Sequence, residues 1–358
     1  MTGIPVDREA VIVSRRKRFL AIFTVLTTFA TIGTAIFLYG SWRQSRDFLV
    51  NETDFYIVDS LANHVHRPNA IRQYAWPEHE KGRIILKTNN LGFREDADTS
   101  FKKAEHVVRI LVTGDSHTDG VVYNSESFAN VLERLLNSNS SSSKFEVING
   151  GAGYYTFQNY SGFLRKYIDL RPDQFIVTIY TGNDFLEAIS TARKSGQVRL
   201  PMTPIWQRLK LRSVPAAPVG QVLNQIVYFK SYPEMKEVAL GIAESELSKI
   251  KKVCAEEQIG LLVLLLPTKV DVEGQATVDA QTAKFDLTET ELSVSRELGQ
   301  TLSKWMEKND MKHLDLTEYM RSSADKLYWI EDYHLSSNGH SLVAELIFKN
   351  AKFLDGQQ

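Results

Sequence analysis

The chain has a single cysteine, Cys254, among its 358 residues. One thiol cannot close an intramolecular disulfide, so no cross-linked scaffold is available, and Cys254 is read as a small buried hydrophobe. Net charge is also nearly absent: 42 basic against 43 acidic side chains leave −1. Whole-chain electrostatics therefore select no particular partner. No segment interleaves aromatic and basic residues as a stacking platform for bases would, so nucleic acid is not expected as a partner. With one cysteine no CxxC pair exists, and the eight histidines are read as scattered without H-x-H spacing, so no metal and no cofactor is expected.

Two segments lack charge of a given kind. Residues 19–40, FLAIFTVLTTFATIGTAIFLYG, contain none at all. A helix of that length crosses about 30 Å of hydrocarbon. Arg15, Arg16, Lys17 and Arg18 precede it, and Tyr39 and Trp42 lie at its far end. The positive-inside rule then keeps residues 1–18 in the cytoplasm and puts the rest outside it, in the periplasm of a Gram-negative cell. The apolar run is too long, and its end too bulky, for a cleaved signal peptide, so an uncleaved inner-membrane anchor is expected. The second gap runs from Ile189 to Pro233, which holds no acidic residue but does hold Arg193, Lys194, Arg199, Arg208, Lys210, Arg212 and Lys230. Four prolines divide it, and it is expected to form a basic insertion at about 189–233 overhanging a site, as a lid for an anionic substrate or as a solvated loop.

The rest of the chain, at 43% hydrophobic and 24% charged overall, suits one large globular domain. Residues 41–95 show no strong periodicity and are expected to be a stalk and entry segment. From residue 96 to 358 short β-branched runs alternate with helical patterns. Strands are expected at 106–113, 145–148, 175–180, 261–266 and 313–316. Helices are expected at about 128–136, 157–170, 234–257, 291–308 and 338–350. Near-continuous apolar strands alternating with helices predict a five-stranded parallel sheet in a three-layer α/β/α sandwich. Ligands of such sheets bind beyond the carboxyl ends of the strands.

Those ends hold the residues of interest. After the first strand comes Gly114-Asp115-Ser116-His117-Thr118, which exposes a hydroxyl at the start of a helix. After the second comes Asn149-Gly150-Gly151-Ala152-Gly153-Tyr154, whose glycines leave backbone N–H groups unshielded. After the third comes Thr181-Gly182-Asn183-Asp184, with a side-chain amide donor. Before the last helix comes Glu331-Asp332-Tyr333-His334, with a base and an adjacent carboxylate. Together they offer a nucleophile, oxyanion donors and a base. Asp115 is expected to bond backbone in its turn, His117 to neighbour the nucleophile, and Lys269 to face either the site or solvent.

From about Leu91 to Phe348 these blocks resemble the SGNH, or GDSL-type, hydrolase superfamily, and in particular extracytoplasmic branches that act in polysaccharide O-acetylation and deacetylation. The resemblance implies a flavodoxin-like fold after one transmembrane helix, Ser116 as nucleophile, His334 as base, and an oxyanion hole from Ser116, Gly153 and Asn183. Two departures leave alternatives. The glycine block is one residue short, so Gly151 stays in reserve behind Gly153. An Asp-x-His pattern selects Asp332 as the acid, whereas Asp-x-x-His spacing would select Glu331. The implied activity is a serine esterase acting on O-acyl, chiefly O-acetyl, esters of an envelope polysaccharide or lipid. An O-acyltransferase working with a membrane-bound acyl-export partner and a non-catalytic polysaccharide-binding scaffold are the alternatives.

Overall fold

The computed structural model describes residues 8–140, 143–196, 217–274, 277, 287–330 and 332–350. Two units separate at Asp54/Phe55. The first is built on α1 (Arg8–Phe55), a helix of 48 residues. Its stretch Arg16–Leu38 has a mean hydropathy of 2.0 and no buried side chain, and it is long and apolar enough to cross a membrane.

The second unit is organised by five strands: β5 (Val107–Gly114), β6 (Lys144–Asn149), β7 (Gln174–Tyr180), β8 (Gly260–Leu266) and β9 (His313–Asp315). They pair in the order β6-β5-β7-β8-β9, and every pairing is parallel. This is the 2-1-3-4-5 order of flavodoxin-like sheets, the fold that the family resemblance implies, and its five parallel strands are those that the sequence pattern predicts. All seven residues of β7 are buried, which explains its unbroken apolar run. β8, as long as β7, and the short β9 continue the sheet on that side. Because the order reverses after β6, right-handed crossovers send α3 (Phe128–Asn139) to one face and α4 (Phe157–Tyr167) to the other. α3 packs on β6 and on the closing helix Ser337–Lys349. α4 and α5 (Asp184–Lys194) pack on the long helix Met235–Glu256, which also meets Val294–Lys308. Cys254 is buried on that long helix, and burial pushes its thiol up to about 12.

Two expectations need correction. Residues 55–95 are not a stalk, and the domain does not begin at 96. Two antiparallel hairpins, β1 (Tyr56–Asp59) with β2 (Asn63–His66) and β3 (Ile71–Ala75) with β4 (Arg83–Lys87), belong to the second unit. Phe55, Val65, Ile84, Leu86 and Phe93 are buried there. Their strands are only four or five residues long, and several of their side chains bond to groups distant in sequence, so the pattern is too short to mark them. The described end of the basic insertion is also neither lid nor loop. Residues 217–231 form a helix, Ala217–Ser231, despite Pro218 and Gly220, and Leu223, Ile226 and Phe229 are buried in the main core. Lys230 pairs with Glu291 at 3.0 Å. Arg199, Arg208, Lys210 and Arg212 lie outside the described residues.

Candidate active site

The end of β5 makes a turn that only glycine fits at its first position. A Cβ on Gly114 would lie 2.0 Å from Thr118 Oγ1 and 2.9 Å from the Thr178 carbonyl. Asp115 then caps the single helical turn α2 (Ser116–Asp119), its Oδ1 accepting the His117 N–H at 2.9 Å. Burial pushes the Asp115 carboxyl up to about 7. The second block lies flat against this turn. Asn149 Nδ2 donates to the Thr118 carbonyl at 3.0 Å and Asn149 Oδ1 accepts the Gly151 N–H at 3.0 Å. A Cβ on Gly151 would meet the Asp119 nitrogen at 2.4 Å, so that glycine serves close packing.

His334 arrives on a closed turn. The Trp329 N–H donates to the His334 carbonyl at 2.9 Å, the Tyr333 N–H to the Trp329 carbonyl at 3.3 Å, and the Ser336 N–H to the Leu327 carbonyl at 2.9 Å. Tyr333 takes φ +65°, a left-handed conformation unusual for an aromatic residue. The turn brings His334 Nε2 to 2.8 Å from Ser116 Oγ. His334 Nδ1 is hydrogen-bonded to Asp332 Oδ1, which also accepts the His334 backbone N–H at 3.2 Å. Glu331, the alternative acid, lies outside the described residues. Burial opposes a charged imidazole, yet the Asp332 carboxylate and its hydrogen bond win, and His334 is raised above the ordinary histidine range. His117 lies against this ring, with centroids 4.7 Å apart, and against Tyr180 at 3.7 Å. Burial, with the charge of His334 added, holds His117 well below the usual range and so keeps it neutral.

The oxyanion candidates are less simply arranged. Asn183 is buried at the start of α5, beyond the carboxyl end of β7. The neighbouring Asp184 carboxylate accepts from Tyr160 Oη at 2.6 Å and from the Tyr180 N–H at 3.0 Å, which fixes the turn. The Gly153 N–H donates to Tyr56 Oη at 3.2 Å, and the Gly153 carbonyl meets His64 Nε2 at 2.7 Å. Both backbone polar groups of this residue are therefore tied to the first hairpin.

That hairpin carries a buried charge network with no counterpart in the sequence reading. Asp119 accepts from Arg94 Nη1 at 2.7 Å and from Tyr56 Oη at 3.3 Å, and meets His66 Nε2 at 3.0 Å. Burial alone would raise its carboxyl, but His66 and Arg94 hold it down at about 2. Arg94 is wholly buried and also donates to the Gly120 carbonyl at 3.0 Å, the Val122 carbonyl at 3.0 Å and Asn124 Oδ1 at 3.0 Å. His64 and His66 do form an H-x-H pair, a signal that went unused, but here they bind a carbonyl and a carboxylate. Gln225 was missed as well. It donates to the Thr181 carbonyl at 2.6 Å and to Ser295 Oγ at 2.9 Å, bracing the turn before Asn183.

No protein-family model and no curated protein matches the chain. Among solved structures it is similar to a lipolytic protein of the G-D-S-L family from Desulfitobacterium hafniense, at 15% identity over 68% of this chain and 98% of that one, with a TM-score of 0.40. It is also similar to a lipase/acylhydrolase from Enterococcus faecalis, at 15% identity, 68% and 95% coverage and a TM-score of 0.41. A third is the acetylxylan esterase Axe2 of Geobacillus stearothermophilus, at 13% identity, 68% and 93% coverage and a TM-score of 0.42.

Proposed function

We propose that this chain is an SGNH-type serine esterase, held to a membrane by the helix at 19–40, that cleaves O-acyl esters of an envelope polysaccharide or lipid. The observation that carries the reading is the line Ser116 Oγ–His334 Nε2, His334 Nδ1–Asp332 Oδ1 at the switch point of a 2-1-3-4-5 sheet. His334 takes the Ser116 proton as Oγ attacks the ester carbonyl. The imidazolium that forms is stabilised by Asp332 and returns the proton to the leaving alcohol. Water, deprotonated by the same base, then releases the acid and restores Ser116. The Ser116 N–H and the Asn183 amide hold the oxyanion, and the Gly153 N–H joins them once the Tyr56 hydroxyl gives way. In this reading residues 1–18 are cytoplasmic and residues 55–358 work outside the cytoplasm.

The test is hydrolysis of p-nitrophenyl acetate by the detergent-solubilised full chain, beside Ser116→Ala. Turnover that disappears with Ser116 supports the esterase. Turnover equal in both proteins removes it. Acyl transfer to a polysaccharide with no release to water would point to the O-acyltransferase alternative, which uses the same three side chains.

A further inference from the structure

Strand β8 ends in Leu266, and the chain continues Pro267-Thr268-Lys269. Thr268 caps the following turn, Lys269–Val272. Its Oγ1 accepts the Asp271 N–H at 3.1 Å and donates to Asp271 Oδ2 at 2.7 Å. This local geometry turns Lys269 inward, where only 5% of its surface is exposed. A buried ammonium has three N–H groups to satisfy and loses its hydration, so its acceptors define its role. Nζ donates to the Trp329 carbonyl at 3.0 Å and to the Ile330 carbonyl at 3.3 Å. It lies 4.4 Å from the centre of the Tyr333 ring, and Glu273 stands at 3.6 Å. Three of these four partners belong to the turn that carries Asp332 and His334.

Those partners are the points at which the turn needs help. The Trp329 carbonyl closes the turn by accepting the Tyr333 N–H. Tyr333 holds φ +65°, a conformation that a bulky L-residue keeps only when its surroundings impose it. It immediately precedes the base. A cation hydrogen-bonded to one end of the turn and seated on the ring at the other holds both ends together.

We infer that Lys269 is a positioning residue. Resting on the esterase reading above, it sets the distance from His334 Nε2 to Ser116 Oγ by tying Trp329 and Ile330 to Tyr333, and it does not touch the substrate. A small error in that distance has a large effect on rate, since a misplacement of about 1 Å costs on the order of 100-fold. A lysine that instead received an anionic substrate would act through binding. A lysine that served only the fold would act through stability.

The test uses the full chain in detergent and compares wild type with Lys269→Met and Lys269→Arg, well below their melting temperatures. Three quantities are read: kcat and KM for p-nitrophenyl acetate, the rate at which a fluorophosphonate labels Ser116, and the low-field proton resonance of His334 Nδ1–H, assigned by its loss in His334→Ala. Labelling forms the Oγ–P bond, expels fluoride and passes the Ser116 proton to His334, so it reports the same alignment without an ester. The expected result for Lys269→Met is a fall of about 100-fold in kcat and in labelling with KM unchanged, and a weakened resonance. Lys269→Arg, which keeps the charge and can donate to the same carbonyls, is expected to recover part of each. Wild-type kcat and an intact resonance in Lys269→Met overturn the inference, as does a change confined to KM or to melting temperature. If wild type neither hydrolyses the ester nor reacts with the fluorophosphonate, the esterase reading fails. The resonance then decides separately whether Lys269 holds the turn.

Discussion

His334 Nε2 and Ser116 Oγ, 218 residues apart in sequence, stand 2.8 Å from one another. Replacing either by alanine is expected to lower kcat for p-nitrophenyl acetate by at least about 10³-fold, with the double variant little worse than either single one, because members of a triad act as a unit. Asp332→Asn is expected to cost about 10²–10⁴-fold by leaving the imidazole in the wrong tautomer. Full activity in Asp332→Asn would transfer the acid role to another carboxylate, with Glu331→Gln the next variant to assay.

The same pair predicts a pH profile. His334 must be neutral to accept a proton, and the Asp332 carboxylate overcomes burial to raise it above the ordinary histidine range. The rate kcat/KM should therefore rise with pH through a midpoint above that of a free imidazole, and Asp332→Asn should move the midpoint down. A midpoint at or below the free value in wild type would contradict the geometry.

Asp115 makes a stability prediction of definite sign. Burial raises its carboxyl from 3.8 to about 7. A raised folded-state value means that the folded chain binds this proton more tightly than the unfolded chain. That contribution is complete below pH 3.8 and disappears as pH climbs through 7. Asp115→Asn removes the titration and keeps an oxygen for the His117 N–H. Its melting temperature should match wild type near pH 4 and exceed it near pH 8. A difference independent of pH would place the carboxyl in a wetter site than the structure gives it.

Tyr56 and Gly153 should be energetically coupled. A Cβ on Gly153 would lie 2.8 Å from Tyr56 Oη, whereas the next nearest atom, Tyr56 Cζ, would be 3.8 Å away. Gly153→Ala is therefore expected to destabilise wild type by pushing the hydroxyl aside. Tyr56→Phe alone should cost about 1 kcal/mol for its lost hydrogen bonds. In the Tyr56→Phe background the alanine meets ordinary contact, so the double variant should be more stable than the sum of the singles predicts. Denaturant titration of the four proteins measures this cycle, and strict additivity would sink it.

Arg94 tests the limits of the domain. It is the buried arginine partner of Asp119, so Arg94→Met should cost about 3–5 kcal/mol by removing the guanidinium from a buried carboxylate that keeps only His66 and Tyr56. A fragment of residues 55–358 should fold cooperatively and one of 96–358 should not. Cooperative unfolding of the shorter fragment would return the hairpins to the status of an appendage.

What could be read from the sequence follows from how local each signal is. The strand FIVTIY announces itself because all of β7 is buried, and the Gly-Asp-Ser turn because steric limits at Gly114 and the Asp115 cap act within five residues. Asp332 and His334 lie two apart, so one motif contains both. Tyr56, His64 and His66 meet their partners across 53 to 97 residues, and no periodicity records such contacts. Sequence leaves Lys269 facing either the site or solvent, because charge is usually exposed; its capped turn points it inward. The helix Ala217–Ser231 was hidden by a proline and a glycine near its start, where a first turn tolerates them.

The closed turn from Trp329 to His334 has a further consequence. Acid and base are joined to each other by contacts two residues long, while base and nucleophile meet only through tertiary packing between distant segments. Loosening that packing would part Ser116 from His334 while leaving the imidazole beside its carboxylate. The histidine would go on titrating high after any turnover had stopped, so its protonation curve would report an intact cassette inside a site already disarmed.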